Sequence, residues 1–195
     1  MSFRTRASIS RPASFLFLLA LAVVAACSFA PSDARIGVNA PSFQEFTRDD
    51  GTLPLTSVAD FMDHRCGSLD CHGNPQRNLQ MWGCMGQRLP LDGGPGDAIV
   101  PGCRSSGGVN TTLPEYEASY RSLVGLEPEV MSTVVSAGAS GNPDLLTYVR
   151  KARGEESHKG GMIVTPGDDG DLCLTSWLIG PSNTAACASA IATTP

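Results

Sequence analysis

The residues best equipped for chemistry are Cys66, Cys71 and His72, which stand as Cys-Gly-Ser-Leu-Asp-Cys-His and are followed by Gly73. Two thiols and an imidazole so close together have three uses. The thiols can pair with each other, but a disulfide over so short a loop gains little closure entropy and is a weak staple. With a remote fourth ligand the three groups can bind zinc, although thiolates in an oxidising compartment tend to be paired. Or both sulfurs can be bonded to a planar cofactor whose metal the adjoining imidazole holds.

The elements that must position these groups read as helices. Ser57-Val-Ala-Asp60 is a capping-box variant that opens a short helix with Val58, Phe61 and Met62 on one face; it runs to Arg65 and delivers the chain into Cys66. Thr112-Leu-Pro-Glu115 is a second box, opening Glu115 to Val124 with Tyr116, Tyr120, Leu123 and Val124 on one face. A weaker helix spans Pro128 to Ala137. Asn142-Pro143-Asp144 starts another, carrying Leu145, Leu146, Tyr148, Val149 and Ala152 to a stop at Gly154. The last helix runs from Asp171 through Leu174, Trp177 and Leu178 to Gly180-Pro181. Asp168-Asp169-Gly170-Asp171 reads as helix capping and lacks the ligand spacing of a calcium loop. Met81 and Met85, with Leu79 and Trp82, read as pocket wall or core. Strand signals are nearly absent, Ser42 to Phe46 reads as extended, and the chain after Cys187 reads as a frayed tail. The fold class is mainly α with long loops.

The start of the chain points to export. Residues 1 to 14 are basic and polar with no acid, and the apolar run from Phe15 to Ala26 follows. As a helix that run rises about 18 Å, too little for a hydrocarbon core of about 30 Å, so it reads as a secretory signal. It closes on Val24-Ala25-Ala26-Cys27, which resembles the lipobox of bacterial lipoproteins and makes Cys27 the lipidation site; cleavage after Ala30 is the plainer alternative. The expected divisions are a signal peptide over 1–26, a tether and extended segment over 27–55, a folded domain over 56–187 and a flexible tail over 188–195. The chain of 195 residues is 42% apolar, enough for one core, while 21 glycines and 14 prolines favour loops. A formal charge of −5, more negative once Arg4, Arg6 and Arg11 are removed, argues against nucleic acid as a partner. No Ser-His-Asp array or phosphate-binding loop supports an enzyme.

The spacing C-x4-C-H is similar to the C-x-x-C-H attachment motif of c-type cytochromes, and resembles more closely the wider variant of some multihaem members. The resemblance implies a cytochrome c-like haem domain stapled by disulfides, with one haem c bonded through Cys66 and Cys71 and its iron held proximally by His72. In that family a helix feeds the motif, a C-terminal helix packs against it, and a distal loop supplies the sixth ligand. The corresponding helices are Ser57 to Arg65 and Asp171 to Ile179, with Trp177 at their crossing. The distal candidates are His158, in the glycine-rich loop before the last helix, and Met162 four residues on; His64 belongs on a solvated face. Of seven cysteines, one for lipid and two for haem leave four. Three pairings are open to them, and Cys84–Cys103 with Cys173–Cys187 joins neighbouring segments. The expected protein is an electron carrier, lipid-anchored at the periplasmic face or outer membrane of a Gram-negative bacterium, with redox proteins as partners; without lipidation it is periplasmic or secreted. The rival is a haem-free, disulfide-stapled surface lipoprotein acting as a binding or scaffold module.

Overall fold

Ser42 caps a single helical turn, α1 (Phe43–Phe46), by accepting a hydrogen bond from the Glu45 amide at 3.3 Å. The extended reading of this segment is thereby corrected: the apolar pair Phe43 and Phe46, three residues apart, reaches one side only from a helix. The computed structural model describes residues 39–47, 55–89 and 111–193, all within one compact unit, Arg35–Pro195. The signal peptide and Cys27 lie outside them. Among the described residues no helix is long and apolar enough to cross a membrane.

The Ser57 hydroxyl accepts from the Asp60 amide at 2.9 Å while the Asp60 carboxylate accepts from the Ser57 amide at 3.2 Å. This reciprocal cap starts α2 (Val58–Cys66). At Thr112 the Glu115 carboxylate accepts from both the backbone amide and the hydroxyl, and α3 (Leu113–Val124) follows. Next come α4 (Pro128–Ser136) and a 3-10 turn over Gly138–Ser140.

Asn142 does cap, but only a second 3-10 turn, Pro143–Leu145; the chain then extends at Leu146 before α5 (Thr147–Ala152). The single helix expected here is therefore split. Two effects favour the break: Leu146 is fully buried, and the Glu127 carboxylate accepts from the Thr147 amide at 2.7 Å and hydroxyl at 2.8 Å, a cap from 20 residues away.

Asp168 caps α6 (Asp169–Ile179) by accepting from the Asp171 amide. After Gly180 the chain forms α7 (Thr184–Ala192), capped by Asn183. The expected fraying after Cys187 is thus corrected as far as Ala192. Alanine-rich sequence has high helix propensity but almost no periodic signal, and the Cys173–Cys187 disulfide ties α7 to α6.

Helix α6 packs on α2 and α7, and α1 lies against α2 and α3. Trp177 meets Phe46 at 5.0 Å between ring centres and Tyr120 at 6.3 Å. Phe61, Met62, Leu123 and Leu178 are buried with them; each such side chain contributes about 1.5–3 kcal/mol of burial. No strand forms among the described residues, and only an isolated bridge joins Trp82 and Gln87.

Candidate functional site

Helix α2 ends where its last turn reaches Cys66, and the Gly67 amide donates back to the Asp63 carbonyl. The His72 amide donates to the Cys66 carbonyl at 2.9 Å, closing the loop between them, and the Ser68 carbonyl accepts from the amides of Cys71 and Gly73. Leu69 and Asp70 consequently bulge into solvent. Arg77 lies across the loop, donating to the carbonyls of Cys71 at 3.3 Å and Asp70 at 3.2 Å. Glycine is structural here: a Cβ on Gly73 would sit 1.8 Å from the Gly67 carbonyl oxygen, and one on Gly86 would sit 2.0 Å from it. Three backbone segments meet with no room between them.

The loop opens on a cavity of about 520 Å³, within the size range of small-molecule and cofactor sites. Cys66, His72 and His158 all line it, with apolar walls from α2, Leu79, Ile163 and Leu174. Cys71 is half-buried at the loop's end, outside the lining. His158 is carried by the loop that Gly154 starts at φ +73°. Ion pairs hold its base: Arg153 meets Asp171 at 2.7 Å and also Asp144, and Arg150 meets Glu156 at 2.6 Å. The Asp171 carboxylate, above all, keeps Arg153 protonated.

The two imidazoles face the same space with ring centres 5.9 Å apart and planes only 15° from parallel. His72 Nδ1 lies 3.1 Å from the Leu79 carbonyl and His158 Nδ1 lies 3.1 Å from the Gly161 carbonyl. A carbonyl only accepts, so in each bond Nδ1 is the donor, the arrangement that outer carbonyls impose on metal-binding histidines. Burial, the largest effect, holds the His72 pKa below the ordinary histidine range and keeps the ring neutral.

His72 and His158, both lining the cavity beside Cys66, are the residues that would hold a haem iron there, and the iron would supply one-electron redox chemistry. Met162 is 64% exposed and does not line the cavity, and His64 is half-buried away from it. The thiols of Cys66 and Cys71 are free, and burial, with Cys71 adding to it, pushes the Cys66 pKa up to about 12. So protonated a thiol is a poor metal ligand, and among the described residues no three His, Cys, Asp or Glu side chains are grouped to hold a metal ion. Cys84 is disulfide-bonded; Cys103, its expected partner, lies outside the described residues.

Sequence reasoning missed Glu127, Tyr148 and Lys151 as cavity residues, because the break at Leu146 that orients α5 depends on a cap from another element. Met81, read as wall or core, is core, while Leu79 lines the cavity. Comparison with protein families, curated proteins and solved structures finds no match to this chain, so a functional assignment stands on the site alone.

Proposed function

We propose that this protein is an extracytoplasmic electron carrier with one covalent haem c, for which Cys66 and Cys71 would supply the thioether bonds and His72 and His158 would hold the iron. The observation that carries the reading is the near-parallel imidazole pair, each ring with its Nδ1 committed to a backbone carbonyl. The packing of α6 on the helix that ends at Cys66 also supports it. When bound, the haem supplies a one-electron iron couple. The protein's own part is to present the two imidazoles and to line the site with Phe61, Met62, Leu79 and Leu174. Two-histidine ligation sets a lower potential than histidine with methionine. We assign lipidation to Cys27 and redox proteins as partners on the strength of the leader and the haem reading.

The test is periplasmic expression with cytochrome maturation factors, followed by a haem stain on a denaturing gel and a ferric spectrum. The expected result is covalent haem and a low-spin ferric spectrum. Cys71→Ala is expected to reduce attachment to a single thioether or none, and His158→Ala to give a high-spin signal, while Met162→Ala leaves the spectrum unchanged. Colourless protein with Cys66 and Cys71 oxidised to a disulfide would replace this reading with that of a haem-free binding module.

A further inference from the structure

The residue that immediately precedes Cys66 reaches across to the loop bearing His158. The Arg65 guanidinium donates from Nη2 to the Ile163 carbonyl at 3.1 Å, linking positions 98 apart in sequence. Ile163 is already pinned, since its own amide and that of Val164 both donate to the Ala152 carbonyl, at 2.8 and 3.1 Å. On the other side of His158, Lys151 Nζ donates to the Ser157 carbonyl at 2.8 Å. Two cationic side chains thus grip the loop backbone before and after the imidazole.

The loop needs such a grip. Gly154 and Gly161 both adopt positive φ, +73° and +71°. Gly160 lies under the His158 ring, where a Cβ would be 3.1 Å from Cε1, and the residues from Lys159 to Met162 are all exposed. Glycine leaves the backbone wide freedom when the loop is open, and hydrogen bonds from charged donors are the strong ones.

We propose that Arg65 is a positioning residue for His158: through the Ile163 carbonyl it couples the helix that delivers the attachment cysteine to the loop that delivers the second imidazole. Lys151 holds the opposite side of the same loop. The inference rests on the haem reading and adds to it the chain's means of keeping the sixth position closed. Removing the Arg65 bond lets His158 leave more often, so that an external ligand finds the position open.

The experiment uses the matured full-length protein and follows carbon monoxide binding to the reduced form, which requires His158 to dissociate. Wild type is compared with Arg65→Gln, which keeps most of the apolar stem, with Arg65→Lys, which keeps the charge, and with His158→Ala as the open reference. The expected result is slow binding in wild type, fast binding in His158→Ala, and a rise of about tenfold in Arg65→Gln, equivalent to about 1.4 kcal/mol, with Arg65→Lys in between. Lys151→Gln is expected to accelerate binding in the same direction and provides the independent variant should Arg65→Gln fold poorly. If wild type and His158→Ala bind equally fast, the two-histidine reading itself fails. If those two differ but neither Arg65→Gln nor Lys151→Gln departs from wild type, the positioning role is overturned while the two-histidine reading stands.

Discussion

At neutral pH His72 is an uncharged base, because burial opposes its protonation more than the Leu79 carbonyl favours it. The sign of the resulting pH dependence follows. The unfolded chain takes up this proton near pH 6.5 while the folded chain resists it, so the contribution of His72 to stability is complete above about 6.5 and lost as pH falls below it. Denaturant melts of the haem-free chain between pH 5 and 7 check this, and His72→Phe is expected to flatten that part of the profile. Asp63 behaves oppositely. Its carboxyl is buried between Gly67 and Gly83, accepts from the Thr111 hydroxyl at 2.8 Å, and has one oxygen without a partner. Burial pushes its pKa up to about 7, so the folded state holds a proton that the unfolded chain releases near 3.8, and stability declines as pH rises between those values. The stability of Asp63→Asn relative to wild type is therefore expected to improve from pH 4 to pH 7, as paired urea titrations would show. The motif itself was legible, since Cys66, Cys71 and His72 are adjacent in sequence. The buried state of Asp63 was not: it sits at a helix position like any solvated acid, and only the folding of Gly83 and Thr111 over it removes water.

Among the elements, the caps were the easiest to read. Ser57 with Asp60 and Thr112 with Glu115 use partners three residues apart, a pattern the sequence displays directly. The α5 cap was hidden, because Glu127 reaches Thr147 from outside the segment. Glu127→Ala is expected to cost about 1–2 kcal/mol in chemical unfolding and to loosen the cavity wall formed by Tyr148; Glu117→Ala, in an exposed pair with Arg121, is expected to cost far less. The loop from Cys66 to Gly73 depends on contact rather than capping. Gly86→Ala would drive a methyl group into the Gly67 carbonyl, and a loss of about 3 kcal/mol or more, with reduced haem loading, is expected. At Gly180 no atom lies within 4 Å of an added Cβ, and Gly180→Ala serves as the control in the same thermal melts.

For the molecule as a whole, caps and apolar spacing foretold a mainly helical chain and abundant glycine and proline foretold loops, and the described residues are mainly helical. The order of packing was less accessible: α7 carries no hydrophobic period, and its place on α6 is secured by Cys173–Cys187 over a separation of 14 residues. Replacing both cysteines by serine is expected to cost about 3 kcal/mol by the chain-entropy argument, lowering the melting temperature while leaving the cavity walls from α2 in place; calorimetry with and without reductant checks it. The two carbonyl-anchored imidazoles have one further consequence. Each ring is oriented by a bond from its own Nδ1 to a backbone carbonyl of its own segment, and on the proposed reading neither bond must break when one electron comes or goes beside them. Such a scaffold would shuttle electrons with little nuclear rearrangement, giving rapid self-exchange between oxidised and reduced molecules and nearly identical amide-protection patterns in the two forms.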